Sequence, residues 1–63
     1  MQEMLNNYIN GNLKEAREQA KRFNLISIAM SLEEQCGYSK LKAARMAVWL
    51  KTGRGWQEAC DTP

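Results

Sequence analysis

Four glycines, and the lack of any internal proline, set the limits on what this chain can fold into. Gly11, Gly37, Gly53 and Gly55 fall where the apolar spacing breaks, and glycine enters the left-handed backbone region that ends a helix without a Cβ penalty. The one proline stands at position 63, so no proline interrupts a helix between the glycines. Ala, Leu, Lys, Glu, Gln, Arg and Met are abundant and strand-like alternation is absent, which favours helix in every segment. A chain of 63 residues holds one domain. At that size only about 60% of the unfolded surface is buried, leaving little room for a deep cavity beside a core. The expected fold is all-α: a compact bundle of four helices plus a short C-terminal helix, spanning residues 1–63 as one domain.

The punctuation predicts five segments. A first helix over Gln2–Asn10 carries Met4, Leu5, Tyr8 and Ile9 on one side. Asn12 follows Gly11 as an N-cap, and Glu15 three residues later completes a capping box. A second helix, Leu13–Phe23, has Leu13, Ala16, Ala20 and Phe23 as a narrow apolar stripe. Its outer face offers the pairs Lys14/Glu18 and Glu18/Arg22, four apart. Asn24 caps a third helix that ends at Cys36 with a core stripe of Leu25, Ile28, Ala29, Leu32 and Cys36, and Gly37 stops it. Ser39 caps a fourth, Lys40–Thr52, which is apolar around more than half its circumference through Leu41, Ala43, Ala44, Met46, Ala47, Val48 and Leu50. Such width predicts a central helix. After the Gly53-Arg54-Gly55 turn, Trp56–Cys60 is expected to seal the core with Trp56 and Ala59, and the last residues to fray.

Composition excludes much chemistry. Without histidine the chain lacks the commonest general base, metal ligand and partner of a nucleophilic serine or cysteine. Cys36 and Cys60 are too few and too far apart for a zinc site, and both read as reduced thiols. The reading is non-enzymatic, with no cofactor and no metal. The amino terminus lacks a signal-peptide pattern, and Arg45 interrupts the richest apolar stretch, so no membrane span is expected and the predicted compartment is cytoplasmic. Charge is uneven: through Cys36 four basic residues meet five acidic ones, net −1, and from Gly37 five meet two, net +3. That asymmetry permits an acidic partner.

Three surfaces stand out. On the fourth helix Lys42, Arg45 and Trp49 share a polar sector. Trp and Arg are enriched at interface hot spots, so Trp49, Arg45 and Lys42 are the expected contact residues, with Lys40 and Arg54 as electrostatic support. Trp49 could equally lie under the chain's own tail. Ile26 and Met30 sit four apart, away from the core stripe of the third helix; they make either a second apolar patch or a contact with the first helix, the latter favoured for at least one. The Glu33–Met46 unit resembles a helix-turn-helix DNA reader around Gly37, with Leu32, Cys36, Tyr38, Ala43 and Met46 as packing positions. Glu33 departs from that pattern, since the position calls for a small residue. Ser39, Lys40, Lys42 and Arg45 would then face a groove and its phosphates. The Gly53-Arg54-Gly55 turn lacks the full spacing of a phosphate loop and reads as a connector.

The run Tyr8-Ile9-Asn10-Gly11-Asn12-Leu13-Lys14-Glu15-Ala16-Arg17, then Gly37-Tyr38-Ser39, then Gly55-Trp56-Gln57-Glu58-Ala59-Cys60-Asp61, resembles small helical proteins of bacteriophages and bacterial mobile elements. The resemblance implies a cytoplasmic accessory protein that binds and blocks or redirects a host protein, and it transfers no catalytic residue. The leading expectation is therefore a non-enzymatic protein-binding inhibitor or regulator whose partner is a host or phage protein. Two others stand beside it: a DNA-binding regulator, dimeric, and a self-associating structural protein.

Overall fold

The computed structural model describes all 63 residues, and every regular element is a helix. In chain order these are α1 (Gln2–Ile9), α2 (Leu13–Ala20), α3 (Leu25–Cys36), α4 (Lys40–Thr52) and α5 (Trp56–Asp61). The expected bundle of four helices and a short fifth is the fold. α1 lies along α2 and touches α3, while α4 packs against α2, α3 and α5, so α4 is the central helix. The whole measures 24 × 22 × 21 Å.

Local sequence explains most of the helix ends. Asn24 Oδ1 accepts from the Ser27 N–H at 2.7 Å and Ser39 Oγ accepts from the Lys42 N–H at 3.2 Å, satisfying orphan donors at the starts of α3 and α4. Gly37 and Gly53 close α3 and α4 in the left-handed conformation at φ 69° and 77°. Two ends differ from the sequence reading. The capping box at α2 does not form: Asn12 makes no side-chain cap, because its amide reaches back to Asn7 Oδ1, and Asn7 in turn donates to Gln19 Oε1 at 2.8 Å. α2 also stops at Ala20 instead of Phe23, its chain tightening into Arg22→Gln19 and Phe23→Ala20 turn bonds. No glycine follows it. The Lys51 ammonium on α4 serves that end, donating to the Ala20 and Phe23 carbonyls from across the fold.

The core consists of Met4, Leu5, Ala16, Ala20, Ile28, Leu32, Ala43, Met46, Ala47, Trp49, Leu50 and Ala59. Five of these twelve are alanine, whose small side chains let the helices approach closely. The stripes predicted for α1 and α2 are inward at Met4, Leu5, Ala16 and Ala20, with Tyr8, Leu13 and Phe23 half-buried against them; Ile9 turns to solvent. Tyr8 and Tyr38 join hydroxyls at 2.9 Å, stitching α1 to the α3–α4 turn.

The carboxyl end is ordered, where fraying was expected. Thr62 is buried; its hydroxyl donates to the Glu58 carbonyl and accepts from Arg45 Nη1 at 2.7 Å. Ser39 Oγ donates to the Pro63 carbonyl. These bonds replace the water that would otherwise solvate a loose tail.

Two predictions follow from this packing. A Cβ at Gly53 would collide with Arg17 Nη2, whereas one at Gly37 meets nothing within 4 Å. Both substitutions also carry the left-handed cost of about 1–2 kcal/mol. Gly53→Ala should therefore cost more than Gly37→Ala in urea unfolding only by what Arg17 loses when its guanidinium swings off Trp49, a small difference that adding Arg17→Ala should remove. Separately, burial and then the bond to Tyr38 raise the Tyr8 pKa well above its ordinary value. The native state holds that proton while the unfolded chain releases it near pH about 10. Stability should thus fall as pH rises above about 10, and Tyr8→Phe should flatten the fall.

Candidate functional site

Of the residues singled out in the sequence, Trp49 changes character most. It is only 9% exposed. Its indole packs on Trp56 of α5, centroids 4.4 Å apart at 52°, and lies under the Arg17 guanidinium of α2 at 5.5 Å. Of the two alternatives for Trp49 the structure takes the covered one: α5 folds back on α4 and puts Trp56, itself 39% exposed, over it. The cations named with it do not gather into one surface. Lys42 Nζ sits 4.8 Å over the Tyr38 ring, and Arg45 is held by Thr62. Lys40 borders a hollow with Met30, Glu33 and Glu34, while Arg54 lies exposed in the turn before α5. Neither four-apart pair expected on α2 forms an ion pair; Glu18 meets Lys21 instead, at 3.3 Å.

The helix-turn-helix positions pack as expected, with Leu32, Ala43 and Met46 buried and Cys36 and Tyr38 half-buried against the core. The side chains meant for a DNA groove are largely spoken for. Ser39 caps α4 and bonds Pro63, Lys42 covers Tyr38 and Arg45 anchors the tail. Cys36 is half-buried, and that burial pushes its thiol pKa up, away from a reactive thiolate. No group of three or more acidic or cysteine side chains is placed to hold a metal ion.

What the fold does assemble is an apolar face. Ile26 and Met30 both point outward, 72% and 54% exposed, and neither packs into α1 as had been favoured. α1 barely reaches α3, since its own apolar side is taken up by α2. Leu25, assigned to the core stripe, is exposed as well. Across from them, α4 presents Leu41, Ala44 and Val48, spaced three and four apart on one stripe. Its core residues Ala43, Met46, Ala47 and Leu50 form a second stripe. α4 is thus the central helix its apolar width predicts, packed by α2, α3 and α5, but the Leu41/Ala44/Val48 part of that width has no cover.

Leu25, Ile26, Ala29, Ala44 and Val48 line a shallow groove of about 170 Å³ between α3 and α4, with no polar residue in its lining. Ala29 and Ala44 keep its floor low, and Leu25, Ile26 and Val48 raise its walls. Met30, Glu33, Glu34 and Lys40 line the adjoining hollow, so one end of this face is acidic. Glu33 and Glu34 make no ion pair. The sequence singles out Ile26 and Met30 but reads Leu25, Leu41, Ala44 and Val48 as core, whereas Ala29 does pack against the core while also lining the groove. The available signal was the surplus of apolar positions on α4 over what one buried face requires.

Compared with protein-family models, curated proteins and solved structures, the chain matches none. No helix is long and apolar enough to cross a membrane.

The burial of Trp49 carries a direct expectation. Trp49→Ala should cost about 3–5 kcal/mol, a large part of the roughly 3–9 kcal/mol that 63 residues typically provide. Chemical denaturation of that variant should show a severely weakened or unfolded chain, in contrast to a neutral surface change.

Proposed function

We propose that the chain is a non-enzymatic binding module that takes an amphipathic helix of a partner protein on its α3–α4 face. The observation that carries this reading is the wholly apolar groove of Leu25, Ile26, Ala29, Ala44 and Val48, continued at one end by Met30 and Leu41. A contiguous exposed patch of this kind on a small soluble domain marks an interaction surface. Its form favours a helix as occupant. A shallow apolar groove with alanines from both helices in its lining accepts side chains spaced three and four apart, the usual helix-in-groove arrangement. Charge selects the orientation: Glu33 and Glu34, free of ion pairs, stand at the Met30 end and call for a basic residue at the facing end of the partner helix.

The likeness to accessory proteins of phages and mobile elements supplies a partner class, a cytoplasmic host protein that the module blocks or redirects. Ser39, Lys42 and Arg45 lie at the surface but are each engaged by the chain itself, and this is the reason the apolar face leads this reading over a DNA groove. Trp49, as a core residue, passes from contact residue to support for the helix that bears the face.

Amphipathic helical peptides with leucines spaced three and four apart, identical except for a lysine or glutamate flank, test the proposal by amide chemical shifts in the labelled protein. Shifts should concentrate on Leu25, Ile26, Ala29, Ala44 and Val48, and the lysine-flanked peptide should bind tighter. Ile26→Asp should weaken binding at least about tenfold while changing stability by no more than about 0.5 kcal/mol, as for other exposed positions. Scattered shifts, or no response to either peptide, would refute it. A dimer in light scattering that Ile26→Asp dissolves would assign the groove to a second copy of the chain.

A further inference from the structure

Away from the α3–α4 groove, and sharing no residue with it, an open hollow of about 450 Å³ is lined by Leu13, Lys14, Arg17, Glu18, Lys21 and Trp49. Lys14 and Arg17 stand on successive turns along one side of α2, and Lys21 follows on the same side just past its end. Glu18 is the single carboxylate among them and is paired with Lys21 at 3.3 Å. Three cations against one anion leave the lining at +2.

Arg17 is the unusual member. Its guanidinium lies over the Trp49 indole at 5.5 Å and against Gly53, at a place any Cβ would occupy. Its Nε is buried with no hydrogen-bond partner, and no carboxylate lies within ion-pair distance of it. An arginine loose in water satisfies its donors with water and wanders among rotamers. This one is held by an aromatic ring on one side and a glycine on the other, which restricts its rotamers in advance, and its Nε has no acceptor within the fold. A guanidinium fixed in this way, with a flexible ammonium beside it, is the pairing that oxyanion recognition uses: the planar fork sets direction and the lysine adds a point charge.

We propose that this hollow binds a phosphate group, held by Arg17 with Lys14 beside it and bounded by the Trp49 wall. Charge matching selects phosphate over carboxylate. A phosphate dianion neutralises the +2 lining, whereas a single carboxylate leaves one cation uncompensated. The group can come from a small phosphate compound as a single dianion, or from a nucleic-acid backbone, where two neighbouring monoanionic diesters supply the same charge.

Tryptophan fluorescence reports on the wall of the hollow and is titrated at constant low ionic strength with sodium pyrophosphate, with a short single-stranded oligonucleotide and with sodium glutamate. A saturable change with pyrophosphate alone assigns a small phosphate ligand, and tighter response to the oligonucleotide assigns a backbone. Arg17→Gln should weaken either response about tenfold, the loss expected for a charged hydrogen bond. Lys14→Gln should weaken it less, and Glu18→Gln should strengthen it. Lys40→Gln removes one positive charge outside the hollow and should leave it unchanged. If Arg17→Gln does not fold, Lys14→Gln against Lys40→Gln makes the same comparison. No saturable response to either phosphate probe, equal losses in the hollow and Lys40 variants, or an equal response to glutamate overturns the site. None of these outcomes bears on the apolar groove, whose peptide test stands apart.

Discussion

Every feature of this protein depends on finding partners for helix ends. Five helices in 63 residues mean that much of the backbone lies within a turn of a terminus, where donors and acceptors have no intrahelical partner. In so small a body most of those groups cannot simply be left in a dry interior. The chain answers with several devices: Asn24 and Ser39 at helix starts, left-handed Gly37 and Gly53 at helix stops, the Lys51 ammonium on the end of α2 and the Thr62–Pro63 tail on α4 and α5. The first two act locally. The last two reach across the fold and convert satisfied termini into tertiary structure, tying α4 to the α2–α3 turn and to the carboxyl end.

That division also decides what could be read from the residues in order. Caps that work within four positions were legible, so the starts and stops of α3 and α4 follow directly from Asn24, Gly37, Ser39 and Gly53. The end of α2 was not, because its acceptor carbonyls meet a lysine some thirty positions away. Asn12 shows that a correct local pattern can lose to a neighbour. Its side chain had a choice between the α2 backbone and Asn7, and the Asn7–Gln19 link made the second more favourable. Periodicity established that α4 has apolar stripes but not how many would find a cover.

The candidate sites follow the same logic. Ile26 and Met30 were visible as misfits on α3, yet their partners across the groove were hidden among residues that looked equally suited to a core. Arg17 looked like one of many charges on a solvated face. Its position becomes distinctive only when Gly53, thirty-six residues on, removes a Cβ beside it and Trp49 supplies the opposite wall. Such a site is a product of three elements meeting, and no one of them carries a motif. Trp49, conversely, read equally well as an interface anchor or as covered by the chain's own tail, and α5 supplies the cover.

The alanine-rich interior has a consequence for how this protein can drift. In a core built on Leu and Phe, most damaging substitutions shrink a side chain and open a void. Here Ala16, Ala20, Ala43, Ala47 and Ala59 are already minimal and almost fully enclosed, so the hazard runs the other way. Even one or two added methylenes must force helices apart, at about 1–3 kcal/mol apiece. Mutational tolerance is therefore lopsided: these five positions accept almost no growth, while the outer faces of the same helices stay free to vary.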